Sequence, residues 1–201
     1  MEKSIARSNP TQYGAAARWF HWATFLLVAI LIPTGIVMVD RGDHNIWDSV
    51  TDKLYSTHKL VGFTLLWIVV LRLANRLIIG APQPEHSLTS WQRRLGLANH
   101  WAMYALLLVL PLLGWLGISM FPALTLFGLF DLPSIASKNK PAADLVLDSH
   151  KALAWVLIAL VSLHILAVLY HYFIRNDGVL QRMLPAARKR SQNSTPSGPQ
   201  K

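Results

Sequence analysis

No cysteine occurs anywhere in the 201 residues. That excludes disulfides, thiolate-held metal clusters and the C-x-x-C-H attachment of a covalently bound haem. Charge is also sparse, at 14% of residues against 53% hydrophobic, and mean hydropathy is positive. An ordinary soluble domain is therefore excluded. Carboxylates are missing from the interiors of four long apolar runs, which argues against a metal transporter, whose path would be expected to carry such ligands. The net charge of +9 is large enough for a nucleic-acid binder. Its distribution follows membrane sides instead, and no nucleic-acid role is expected.

What remains is lipid-soluble sequence punctuated by histidine. The four runs are Trp19–Val39, His58–Gly80, Leu97–Phe121 and His150–Tyr172, each long enough to cross a bilayer as one helix. The first follows a basic start but exceeds a signal-peptide core, and Asp40 and Arg41 follow it without a small-residue cleavage site. Pro33 and Gly35 are tolerated within it, as in other membrane helices. The expectation is an all-α integral membrane four-helix bundle over residues 1–185, with helices near 14–39, 56–80, 93–120 and 148–174. A basic, polar tail at 186–201 is expected to be disordered. Residues 40–57 and 81–96 read as polar loops. The apolar stretch PALTLFGLFDLP (122–133) is too short and broken to span, and lies at the interface or folds over the bundle end.

Four spans put both termini and the 81–96 loop on one side. That side, with Arg72 and Arg76, holds 13 Lys/Arg and 3 Asp/Glu; the other holds 6 and 7. The positive-inside rule makes the basic side, and so both termini, cytoplasmic.

The histidines then fall at two depths. His150 and His164 are fourteen residues apart on the last helix, roughly 40° around and about 21 Å along its axis, and His171 continues their stripe. Histidine in hydrocarbon is costly and faces the interior with a partner. His58 enters from the outer side, as does His150. His21 enters from the cytoplasmic side, where depth alone favours His171 as its partner. Spacing favours His164, because about 21 Å between layers permits electron tunnelling and about 31 Å does not. The pairs are taken as His21 with His164 and His58 with His150. A single membrane histidine is commonly an interhelical hydrogen bonder; two depth-matched pairs point to axial ligation of haem iron. Gly62, one turn after His58, leaves room for a flat group or for close helix packing. His44 and His86 lie in polar loops as solvated side chains.

The series R-x-x-H-W (Arg18, His21, Trp22), His58 with Gly62, VLRLANR (Arg72, Arg76), LPLLG (Pro111, Gly114) and His150…His164…YHYFIRNDGVLQRMLP resembles the bacterial cytochrome b561 family from about residue 12 to Pro185. The resemblance implies a four-helix, quinone-linked cytochrome of the bacterial inner membrane. It would carry two haem b, with His21 and His164 on the inner iron and His58 and His150 on the outer. The compact chain and C-terminal motif look most like the stand-alone superoxide:ubiquinone oxidoreductase. Related cytochromes serve as haem-bearing membrane anchors or electron-transfer subunits of hydrogenases and formate dehydrogenases, with a separate redox partner protein.

Three further expectations follow. Arg72, on nearly the same stripe as His58, reaches a propionate of the inner haem or snorkels to the interface. Lys59 and Lys151, each following an outer ligand, form a positive rim that draws an anion such as superoxide; the seven acidic residues on that side oppose this. His100 and His171 border a ubiquinone pocket at the cytoplasmic end, where imidazole exchanges protons near neutral pH. Mutual hydrogen bonding or a propionate contact is their alternative, and core packing is the alternative for the neighbouring Trp101 and Tyr104.

Overall fold

A computed structural model describes residues 12–82 and 88–184 of the chain. Four helices carry the fold: α1 (Ala15–Asp43), α2 (Ser49–Ile79), α3 (Ser90–Met120) and α4 (Lys140–Tyr170). α4 runs on into a π-helical turn, His171–Arg175. All four are long and apolar enough to cross a membrane. At 29 to 31 residues each they rise about 45 Å, more than the roughly 30 Å of hydrocarbon, so their ends project beyond it.

The helices start earlier than the apolar runs suggest. α2 begins at Ser49 rather than near 56, because Asp48 caps it, accepting from the backbone N–H groups of Val50 (3.0 Å) and Thr51 (2.9 Å). Arg41 closes the same turn by donating to the Asp48 carboxylate at 2.6 Å and to Thr51 Oγ1 at 2.8 Å. The backbone hydrogen bond from Thr51, followed by the one from Arg41, holds the Asp48 carboxyl down at about 2. α4 begins at Lys140 rather than near 148, capped by Asn139 and with Pro141 in its first turn. Hydropathy marks where a helix enters lipid; the cap marks where it starts. The expected 186–201 tail and His86 lie outside the described residues.

α1 packs on α2, α3 on α4, and α2 against α3. Among the described residues few apolar side chains are buried, and Val28, Leu65, Val69, Leu107, Leu110 and Leu157 form one cluster. Leu157 stands midway along α4 between His150 and His164, so the cluster separates the two histidine depths. Large apolar side chains such as Leu26, Trp67, Ile78 and Leu166 face outward. In water this surface would be a liability; in lipid it is the expected one.

The apolar stretch after α3 folds over the bundle end. It forms a short antiparallel hairpin, β1 (Thr125–Leu126) with β2 (Phe130–Asp131), registered Thr125 to Asp131 and Leu126 to Phe130. Phe127 and Gly128 both take positive φ, the backbone a tight hairpin turn needs. Leu126 is fully buried beneath it, and Phe127 N–H donates to Ser56 Oγ of α2 at 3.0 Å. At the opposite end the chain after α4 folds back to α1: Trp22 Nε1 donates to Met183 O at 3.0 Å, and Tyr13 N–H to Arg182 O at 3.3 Å. Residues near both termini therefore share one end of the bundle.

Candidate functional site

Two histidine layers lie inside the bundle. In the layer nearer the hairpin, His58 of α2 faces His150 of α4 with ring centres 6.3 Å apart. In the layer nearer the termini, His21 of α1 faces His164 of α4, also at 6.3 Å. Two imidazoles bound to opposite sides of one iron, through metal–nitrogen bonds of about 2.0 Å, hold their ring centres roughly 6 Å apart. Both pairs have the spacing that such a ligand set requires.

The hairpin-side layer is built for coordination through Nε2. His150 Nδ1 donates to the Leu110 carbonyl at 2.9 Å. A carbonyl only accepts, so the ring proton sits on Nδ1 and the Nε2 lone pair is left for a metal. His58 Nδ1 meets Thr34 Oγ1 at 3.3 Å. That hydroxyl donates its own hydrogen to Ile30 O at 2.7 Å, so it accepts from His58 and sets the same tautomer. Glycines make room for both rings. A Cβ at Gly35 would stand 3.0 Å from His58 Cε1, and one at Gly114 would stand 3.4 Å from His150 Cε1. At Gly62 a Cβ would meet only Leu31, at an ordinary 3.8 Å. Gly62 thus faces open space on the cavity side, while Gly35 and Gly114, on α1 and α3, make the close approaches to the rings. The rings lie on a cavity of about 860 Å³ that all three glycines help to line. This volume and apolar lining are in the range of cofactor sites.

The terminus-side layer is more polar. Arg72 of α2 donates to His21 Nδ1 at 3.0 Å and lies over the Tyr104 ring at 5.2 Å. A neutral imidazole that accepts at Nδ1 carries its proton on Nε2, so coordination through Nε2 requires Arg72 to release this bond. His100 of α3 packs edge-on against His164, ring centres 5.2 Å apart, and donates from Nδ1 to Gly96 O. One turn beyond Arg72, Arg76 has a buried Nη1, and Asn99 a buried Oδ1, neither with a partner among the described residues. A buried guanidinium nitrogen without an acceptor suits an anionic group brought by a cofactor. The residues of both layers fit haem, those of the terminus-side one once Arg72 turns away.

The remaining expected residues have other partners. Lys59 lines the cavity but donates to the carbonyls of Ala123 (3.0 Å) and Thr125 (2.5 Å), fastening the hairpin segment to α2. Lys151 pairs with Asp148 at 3.1 Å. Five aspartates, Asp40, Asp43, Asp52, Asp144 and Asp148, also line that cavity. His171 does not meet His100; its Nδ1 lies 2.6 Å from the Asp177 carboxylate. Trp101 packs on Tyr104. Sequence reasoning passed over Thr34 and Asp177. The only signal for Thr34 was the run Pro33-Thr34-Gly35 inside a membrane helix, read as tolerated breakers.

Four lipid-facing helices around two half-buried imidazole pairs define a multi-pass membrane protein suited to b-type haem and electron transfer. The profile of prokaryotic cytochrome b561 matches residues 12–186, and the chain belongs to that family, whose members bind haem b. It is 30% identical over 178 residues to cytochrome b561 homolog 2 of Escherichia coli K12, covering 88% of this chain and 93% of that one. Cytochrome b561 homolog 1 of the same organism is 28% identical over 83% and 93% of the two chains. The probable superoxide oxidase CybB of Yersinia pestis is 24% identical over 88% and 98%.

Proposed function

We propose that the chain holds two haem b, one between His58 and His150 and one between His21 and His164, and passes electrons between an outer donor and ubiquinone. The observation that carries this reading is the repeated 6.3 Å ring spacing at two levels of α4 fourteen residues apart. Haem b, when bound, supplies one-electron iron chemistry. The protein's part is to hold and orient the four imidazoles, to keep lipid and water out with the leucine cluster between the layers, and to set local charge. Arg72, on leaving His21, and Arg76 would meet the propionates of the terminus-side haem. Both termini are assigned to the cytoplasm. The return of the 182–183 segment to α1 supports a shared side, and the basic residues there support the cytoplasmic one.

Superoxide:ubiquinone oxidoreductase is the activity favoured for the chain acting alone, supported by similarity to the Yersinia protein. Purified protein should contain two haems by pyridine haemochrome assay, and superoxide should reduce them with quinone re-oxidising them; a protein left oxidised by superoxide rejects this donor. A second reading is an electron-carrying subunit docked to a separate enzyme. The cavity's five aspartates, with both lysines already engaged, favour a cationic protein surface over a free anion. Copurification of a catalytic subunit would select it.

A further inference from the structure

We infer that Asp177 is the positioning residue that makes His171 the proton-exchange group for quinone at the terminus-side end of the bundle. The inference rests on the quinone reading above and adds a residue and a role to it. His171 lies seven residues past His164 on nearly the same face of α4, about 10 Å further along. There the helix loosens into the π-helical turn His171–Arg175, and Asn176 takes a left-handed backbone at φ 49°, which asparagine tolerates better than most residues. The reversal carries Asp177 back onto the helix end, where its carboxylate accepts from His171 Nδ1 at 2.6 Å. Val179 N–H holds the other carboxylate oxygen at 3.2 Å, and Arg175 Nε lies 3.7 Å from the first.

The His171 and Asp177 side chains are only 12% and 8% exposed. Withdrawing such a pair from water is a weak source of stability. The returning segment is in any case already fastened to α1 through Trp22 and Tyr13. What the pair does supply is a fixed tautomer. A carboxylate only accepts, so the His171 proton at Nδ1 stays in place and Nε2 is the nitrogen that gains and loses one. Reduction of one quinone to quinol takes two electrons and two protons. The electrons come one at a time from the one-electron donor of the proposed reaction. Protonated His171 passes its Nε2 proton to the quinone carbonyl oxygen it faces, the other oxygen takes its proton from water at the bundle end, and the neutral ring regains a proton from the same water. Asp177 remains a carboxylate throughout.

The test uses the full-length, haem-loaded protein with a short-chain ubiquinone as acceptor. Asp177→Asn, Asp177→Glu and His171→Gln are compared for haem content, for haem reduction by dithionite, and for kcat and KM with quinone. Asp177→Asn is expected to keep both haems and their reduction and to lower kcat about 100-fold with little change in KM. Asp177→Glu should recover most of the rate, and Asp177→Asn should add no further loss to His171→Gln. If Asp177→Asn kept wild-type kcat while His171→Gln was slow, the positioning role would be overturned and the quinone reading would stand. Loss of haem in both Asp177 variants would make the residue structural and overturn the role likewise. Wild-type protein that passes no electrons to quinone would remove the reading itself.

Discussion

The two histidine layers have the same ring spacing and different surroundings. Around His58 and His150 the neighbours are glycines, a threonine hydroxyl and a main-chain carbonyl, and they set one tautomer on both rings. Around His21 and His164 the neighbours are Arg72 and His100, with Arg76 close to His100, and the polar contacts conflict with coordination until Arg72 moves. At the first layer glycines clear the rings and the charged side chains stand around the cavity; at the second an arginine sits directly on a ring nitrogen. The first arrangement orients ligands and makes space for a flat group; the second offers groups to bind an anionic edge and to tune potential.

Removing a ligand should break the comparison most severely. His150→Ala or His58→Ala is expected to abolish the outer haem and spare the inner one, and His164→Ala or His21→Ala the reverse. Haem content should halve in each, and the low-temperature α-band should lose one component. If His171→Ala removed a haem while His164→Ala did not, the inner pairing would be wrong.

Glycine substitutions sharpen the claim that bulk matters on one side only. Gly35→Ala places a carbon 3.0 Å from His58 and should weaken outer haem retention about 10- to 100-fold, the range for disturbed support of a ligand. Gly114→Ala, whose Cβ would stand 3.4 Å from His150 Cε1, should weaken it less. Competition with apomyoglobin for haem would measure both.

Charge removal probes the other layer. Arg76→Gln is expected to lower the inner haem's midpoint potential, because a nearby cation favours the reduced iron. The shift should be on the order of tens of millivolts and should leave the outer potential in place. Redox titration with spectral separation of the two haems would show it.

The smallest effect belongs to the turn that frames the outer layer. The Asp48 carboxyl is held at about 2, below its ordinary 3.8. Its cap therefore supports the first turn of α2 fully above about pH 4, and that support is lost as pH falls towards 2. Amide exchange at Val50 and Thr51, corrected for intrinsic pH dependence, should accelerate over that window in wild-type protein and be fast throughout in Asp48→Ala.

Much of the fold is legible in the sequence. The four spans follow from runs of apolar residues, because lipid imposes a length on every crossing helix. The two depths of histidine follow from helical rise, and the shared side of the termini from an even number of spans. Helix starts were misplaced by up to eight residues, at Ser49 and Lys140, because capping turns are polar and hydropathy does not register them. Lys59 read as a free cation at a helix entry, yet its amine is spent on two carbonyls of a hairpin more than sixty residues away.

The sequence by itself determined which residues lie in lipid, at what depth, and on which stripe of each helix, since all three depend on composition and a fixed rise and turn per residue. Only the tertiary structure decided what faces what. That Arg72 reaches the His21 ring, that Gly35 clears the His58 ring, and that Thr34 sets a tautomer depend on how each helix is rotated against its neighbours. Asp177 reaches His171 through one left-handed residue at a helix end. Such rotations and reversals are fixed by side chains distant in sequence packing against each other, and no local pattern encodes them.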